Sequence, residues 1–134
     1  MYRNWILNIG CIIFGLPFVI IGIDHFIDPS WYELIVPKIL GYPTFWVYAS
    51  GVFEIALGAG LMFPRTRQIS AYGIALMLVV LYWANFNMWI NDIAIGGSKF
   101  GTNWHIMRAI IQAVLIIICL TIAKYSPKSS NSSD

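Results

Sequence analysis

The chain alternates between long apolar stretches and short polar segments. Four stretches, at residues 6–26, 43–63, 69–90 and 105–123, are almost free of charge. Each has about the 20 residues that a helix needs to cross the hydrocarbon core of a bilayer. Helices are the expected form, because backbone groups in lipid must find their hydrogen-bond partners within the segment. The pattern predicts an all-α fold, a membrane four-helix bundle formed by residues 1–125.

The segments outside these stretches differ in character. Residues 29–42, between the first two helices, are too few to span and rich in tryptophan and tyrosine, which predicts a short interfacial segment lying along the membrane. Residues 91–103 are polar and contain three glycines, which indicates a flexible loop. The serine-rich residues 126–134 are predicted to be a disordered tail.

The composition supports a membrane location. Of 134 residues, 59% are hydrophobic and only 10% are charged, whereas soluble domains carry about 25% charged residues. The lipid bilayer is therefore the predicted partner. The net charge of +2 is too small to suggest nucleic acid. The two cysteines, Cys11 and Cys119, form no CxxC pair, so neither a zinc site nor a thioredoxin-like motif is predicted. The two histidines, His25 and His105, do not have the spacing of a metal-binding motif.

The basic residues predict the orientation. Two lie on the side of the interfacial segment, namely Lys38 and Lys99, with Arg108 just inside the fourth helix. Five lie on the opposite side: Arg3, Arg65, Arg67, Lys124 and Lys128. Cytoplasmic segments carry the excess of lysine and arginine in membrane proteins. Both termini, and with them the 126–134 tail, are therefore predicted to be cytoplasmic.

Polar side chains inside the predicted helices are the candidates for a site, because they are costly in lipid and tend to face the bundle interior. They concentrate toward the outer half of the bundle. The candidate polar cluster consists of His25, Glu54, Asn85, Arg108 and Gln112.

Glu54 is the most informative of these residues. Gly51 precedes it by three positions and Gly58 follows by four, so the three share one helix face. Together with Gly22, these glycines are predicted close-packing positions, since small residues let helices or ligands approach the backbone. Arg108 is the predicted ionic partner of Glu54, with His25, Asn85 and Gln112 as hydrogen-bonding members.

Two interpretations of this cluster stay open. One is a polar pocket that opens outward and suits a quinone head group, a small polar ligand or a proton. The other is a network that only pins the helices together, since interhelical polar contacts in membranes often contribute about 0.6 kcal/mol. For His25 alone, a satisfied histidine at a helix end is the favoured interpretation.

The sequence resembles the DoxX-like family of small four-helix membrane proteins. The features that carry the resemblance are Gly22-x-x-His25-Phe26-x-x-Pro29 followed by Tyr32 and Ile35-Val36-Pro37, then Tyr48-x-Ser50-Gly51-x-x-Glu54-Ile55-x-x-Gly58, Pro64-x-Thr66-Arg67, Ala84-Asn85-x-x-Met88 and Trp104-x-x-x-Arg108-x-x-x-Gln112. They follow one another in order over nearly the whole chain up to Ala123.

The resemblance implies a function more loosely than a fold. It suggests an accessory subunit of a membrane redox or quinone-linked complex in the bacterial inner membrane, with quinone as the cofactor and a protein partner or a second copy of the chain. An autonomous enzyme is not expected, because no cysteine pair can carry electrons. The alternatives are a non-catalytic assembly or scaffold protein and, ranked last, a small-solute permease.

Overall fold

The computed structural model describes residues 2–126 and residue 128, with side chains from Trp5 onward. This part of the chain forms five α-helices: α1 (Tyr2–Ile27), α2 (Pro29–Glu33), α3 (Pro43–Met62), α4 (Arg67–Ile90) and α5 (Thr102–Tyr125). A single 3₁₀ turn, Lys38–Leu40, lies between α2 and α3. The prediction of an all-α four-helix bundle is confirmed. Most of the predicted tail lies outside the described residues, so its disorder stays a prediction.

Four helices, α1, α3, α4 and α5, are long and apolar enough to cross a membrane, which fits an integral membrane protein. Helices α1, α4 and α5 run a few residues past the predicted stretches, and α5, for example, begins at Thr102 rather than at residue 105, whereas α3 ends at Met62, one residue early. Polar residues at a membrane surface can continue a helix whose apolar part has ended, so hydropathy underestimates helix length.

Prolines separate the elements at one end of the bundle. Asp28 has an extended backbone (φ −134°) before Pro29, and Tyr42 is left-handed (φ 46°) before Pro43. A residue that precedes proline is disfavoured in the helical conformation, so α1 ends and α3 begins at these positions. The predicted interfacial segment is therefore α2 and the 3₁₀ turn, and α2 packs against both α3 and α1.

The long helices form two antiparallel pairs, α1 with α3 and α4 with α5, and contacts between α3 and α4 join the pairs. We call the end with residues 28–42 and 91–101 the loop end. The opposite end, with the 63–66 connection, is the hairpin end. The shared core contains Cys11, Leu61, Ile74 and Cys119, and both cysteines are free thiols. The outward faces are largely apolar, as lipid-facing surfaces are.

The 91–103 loop contains a tight turn, and its flexibility stays a prediction. Ile95 and Ser98 exchange two backbone hydrogen bonds, at 3.0 and 3.1 Å. Gly96 and Gly97 both have positive φ, of 59° and 79°, which glycine adopts without strain. The glycines therefore form a tight turn, and Lys99 pairs with Asp92 across its base.

Candidate functional site

The five polar residues predicted to lie together are divided between the two helix pairs. His25 of α1 meets Glu54 of α3, and we call them the His25–Glu54 pair. Asn85 of α4 meets Arg108 and Gln112 of α5, and we call these three the Arg108 cluster. Both groups lie in the half of the bundle nearer the loop end. The structure therefore contains two polar sites where the sequence predicted one.

The His25–Glu54 pair is almost fully enclosed. His25 Nδ1 lies 2.7 Å from Glu54 Oε2, and the two side chains are only 7% and 8% exposed. Neither atom has a regular hydrogen bond within the described part of the chain, because the ring N–H is not aligned with the oxygen. The contact is therefore an ion pair by distance. A low-dielectric site favours a pair of this kind with no net charge.

Glycines bring the two residues of this pair together. A Cβ placed on Gly22 would lie 2.8 Å from the carbonyl oxygen of Gly51, and one on Gly58 would lie 2.9 Å from that of Gly15. The α1 and α3 backbones therefore touch at two levels. His25 follows Gly22 by three residues, as Glu54 follows Gly51, so both lie on the touching faces. The face that carries Gly51 and Gly58 thus receives helix α1.

The predicted pairing of Glu54 with Arg108 is wrong. Glu54 lies against α1, where its Oε2 faces His25 Nδ1, whereas Arg108 contacts residues of α4. The physical reason is rotation about the helix axis. The glycines turn this face of α3 toward α1, and Glu54 turns with them.

Tyr32 covers the pair from the loop end, although it was not a predicted site residue. Its ring lies edge-on to that of His25, with centroids 3.9 Å apart. Its hydroxyl donates to Asp24 Oδ2 at 2.7 Å. Burial raises the pKa of Tyr32, and the hydrogen bond to the Asp24 carboxylate raises this pKa further. Tyr32 is therefore a neutral donor that ties α2 to the end of α1.

The Arg108 cluster has a different chemistry. Arg108 Nη2 donates to Asn85 Oδ1 at 2.7 Å, and Nη1 to Met88 Sδ at 3.3 Å. Asn85 Nδ2 donates in turn to Gln112 Oε1 at 3.2 Å, and Gln112 Nε2 donates to the Leu78 carbonyl. Amide side chains thus hold the guanidinium in place through neutral acceptors.

No acidic residue balances the Arg108 charge within residues 5–126. The ion pairs found there are His25–Glu54 and Lys99–Asp92, and Arg108 belongs to neither. Arg108 belongs to α5, and its side chain is half-buried. A guanidinium carries more N–H donors than these two contacts use. The cluster therefore offers a fixed positive charge with donors to spare.

Arg67 is a buried cation that sequence reasoning assigned to the water-facing connection. It is only 2% exposed. Its Nε donates to the Leu61 carbonyl at 3.0 Å and its Nη2 to that of Met62 at 3.3 Å. The last carbonyls of a helix lack partners within the helix, and a cation there also meets the negative end of its dipole. Arg67 therefore caps α3.

His105 lies elsewhere, stacked on Trp89 with centroids 5.6 Å apart.

Comparison with known proteins gives one match. The family described as "Domain of unknown function (DUF8561)" matches residues 14–123, a segment that contains both polar sites. No curated protein matches the chain. No solved structure matches it either.

Proposed function

The chain belongs to the DUF8561 family, and for this member we propose the function of an accessory membrane subunit that binds a quinone head group at the Arg108 cluster. The resemblance to DoxX-like proteins motivates the choice of ligand. The observation that carries the proposal is the half-buried Arg108 guanidinium, whose described partners are all neutral. An uncompensated cation within a membrane helix is costly and marks a functional site by default.

The donor set fits a quinone head group. Quinone carbonyl oxygens accept hydrogen bonds, and the unused N–H groups of Arg108 can donate them. Asn85 and Gln112 orient the guanidinium, because Asn85 accepts from Arg108 and donates to Gln112. A bound quinone would supply the electron chemistry. The residues of this chain would hold and orient its head group.

The cysteines are consistent with the proposed protein partner. Cys11 and Cys119 are free and buried, and no pair of thiols is poised to pass electrons within the described residues. Electrons for the quinone would therefore come from another subunit. The resemblance to DoxX-like proteins supports a bacterial inner-membrane protein, and the basic residues support a cytoplasmic location for both termini, with the loop end outside. A cysteine placed at Ser30 should then react with an impermeant thiol reagent added to intact cells. If this cysteine does not react, the opposite orientation is indicated, with the loop end inside.

Thermal unfolding in detergent with short-chain quinones tests the ligand site. A ligand at a hundredfold excess over its dissociation constant stabilises the native state by about 2.7 kcal/mol, enough to raise the melting temperature measurably. The parent protein and the control Arg65→Gln, which changes an exposed arginine at the hairpin end, should show the rise. Arg108→Gln should abolish it. No rise in the parent, or an equal rise in Arg108→Gln, would contradict the proposal.

A scaffold function is the second candidate, and the glycine contact between α1 and α3 favours it. Gly51 and Gly58 were candidates to line a pocket, yet α1 occupies the space beside them. Glu54 Oε2 likewise faces His25 Nδ1, 2.7 Å away. This half of the polar set therefore has a structural explanation. If quinones leave the parent's melting temperature unchanged while a client protein copurifies, the scaffold function leads.

A further inference from the structure

A shallow depression of about 350 Å³ lies at the loop end of the bundle. It is formed by the end of α2, the 3₁₀ turn and the first residue of α3. Leu34, Val36, Pro37 and Pro43 supply its apolar lining. It is separate from the Arg108 cluster, because none of the cluster residues lines it.

Two residues of opposite charge line this depression. Glu33 and Lys38 both line it, yet they form no ion pair with each other or with another described residue. The Thr44 hydroxyl donates to Glu33 Oε1 at 2.6 Å and so fixes the carboxylate. A carboxylate and an ammonium thus remain available beside one apolar surface.

The surroundings place the depression where lipid head groups lie. It sits just beyond the end of α1 and at the start of α3, both long enough to span a membrane. Ile39 and Tyr42, on either side of Gly41, are 85% and 84% exposed. Exposed apolar and aromatic side chains at the end of membrane helices are typical of segments in the interfacial layer.

We propose that this depression binds the head group of a zwitterionic phospholipid with a primary amine, phosphatidylethanolamine. The Lys38 ammonium meets the lipid phosphate, and the Glu33 carboxylate accepts hydrogen bonds from the lipid amine. Leu34 and Pro37 contact the apolar part of the lipid below the head group. Choline lipids lack the N–H donors that Glu33 requires, and glycerol lipids lack the cation. The site therefore discriminates by charge pattern.

The test is lipid retention by the full-length protein. The protein is reconstituted into vesicles of equal parts phosphatidylethanolamine, phosphatidylcholine and phosphatidylglycerol. It is then extracted in mild detergent and washed. Mass spectrometry measures the lipid that remains. We expect the ethanolamine lipid to be retained about fivefold over either of the others, the most that one exposed ion pair usually supplies.

Two variants separate the two charges. Glu33→Gln should lower retention of the ethanolamine lipid to that of the choline lipid, while Lys38→Gln should lower retention of all three. The matched controls are Asp28→Asn and Lys99→Gln, exposed residues at the same end that lie outside the depression. Both controls should retain lipid as the parent does. Melting curves without added lipid establish that each variant is folded.

Three results would overturn the proposal. They are equal retention of the three lipids by the parent, equal losses in variants and controls, and a preference for phosphatidylglycerol that Glu33→Gln leaves unchanged. The last result would mean that Lys38 acts alone on any anionic lipid. Quinone binding at Arg108 is measured separately, so either proposal can fail without the other.

Discussion

His25 and Glu54 face each other between α1 and α3, whereas Arg108, between α4 and α5, faces neutral acceptors. The site of His25 and Glu54 is nearly closed to solvent. Arg108 contacts an amide and a thioether, and part of its surface remains accessible. The first site is closed by its own two side chains, although neither facing atom has a regular hydrogen bond within the described residues. The second site holds a positive charge whose described partners are neutral.

The helix contacts explain why the two pairs differ. The α1 and α3 backbones touch at Gly15, Gly22, Gly51 and Gly58, so little room remains for anything but the facing side chains. Helix α5 contains no glycine, and Gly73 of α4 faces Leu57 of α3 instead. Side chains therefore separate α4 from α5. A polar group between α4 and α5 is therefore not enclosed by touching backbones, as the polar pair between α1 and α3 is.

The largest loss of stability is expected at the backbone contact. A Cβ at Gly51 would lie 2.9 Å from the Gly22 carbonyl oxygen, which cannot move aside as a flexible side chain would. Gly51→Leu should lower the free energy of unfolding by about 3 kcal/mol or more. Denaturation in detergent, followed by circular dichroism, measures this loss.

The control for this change is Gly10→Leu. Gly10 lies in α1, which like α3 is one of the long apolar helices. A Cβ at Gly10 meets no other atom within 4 Å. Its replacement should leave the free energy of unfolding unchanged or raise it by up to about 1 kcal/mol, because leucine favours a helix more than glycine does. Similar losses at the two positions would show that close packing of α1 on α3 is not what matters.

The next effect concerns the His25–Glu54 pair. Glu54→Ala leaves the buried His25 nitrogen without its facing group, which should lower the free energy of unfolding by about 2 kcal/mol. The double variant His25→Leu, Glu54→Leu removes both partners, and its loss should be smaller than the sum of the single losses. Additive losses in a double-mutant cycle would contradict the coupling.

The smallest effect is expected for Arg108→Met. The guanidinium lacks an acidic partner among the described residues, so its removal should change the free energy of unfolding by less than about 1 kcal/mol in either direction. The same denaturation assay measures it. If Arg108→Met lowers the free energy of unfolding as much as Glu54→Ala does, Arg108 is a structural residue. The two helix pairs would then not differ in the way described above.

The four long helices were predictable because each is a run of apolar residues, a signal that needs no knowledge of the neighbours. The members of the polar sites were predictable for the same reason, since a polar residue in such a run is conspicuous. Their partners were not. Pairing depends on how each helix is rotated and on its depth, and charge alone favoured Arg108 over His25 for Glu54.

Some local information was present but not used. Gly15 and Gly22 have the same spacing as Gly51 and Gly58, which indicates that the two helices touch along matching faces. The burial of Arg67 had no comparable signal, because an arginine just beyond a helix is usually solvated. Its position follows from the unpaired carbonyls at the end of α3, and these become apparent only once the turn is folded.

The spacing of the touching glycines has a consequence for the shape of the α1–α3 pair. Contacts that recur every seven residues average 3.5 residues per turn, slightly fewer than the 3.6 of a straight α-helix, so the contact line drifts by about 20° per repeat. Two helices that keep such a line in register wrap around each other in a left-handed supercoil. The sequence does not continue the repeat, because the positions one repeat earlier in α1 and one later in the chain are Asn8 and Arg65. The supercoil is therefore expected to relax toward the hairpin end.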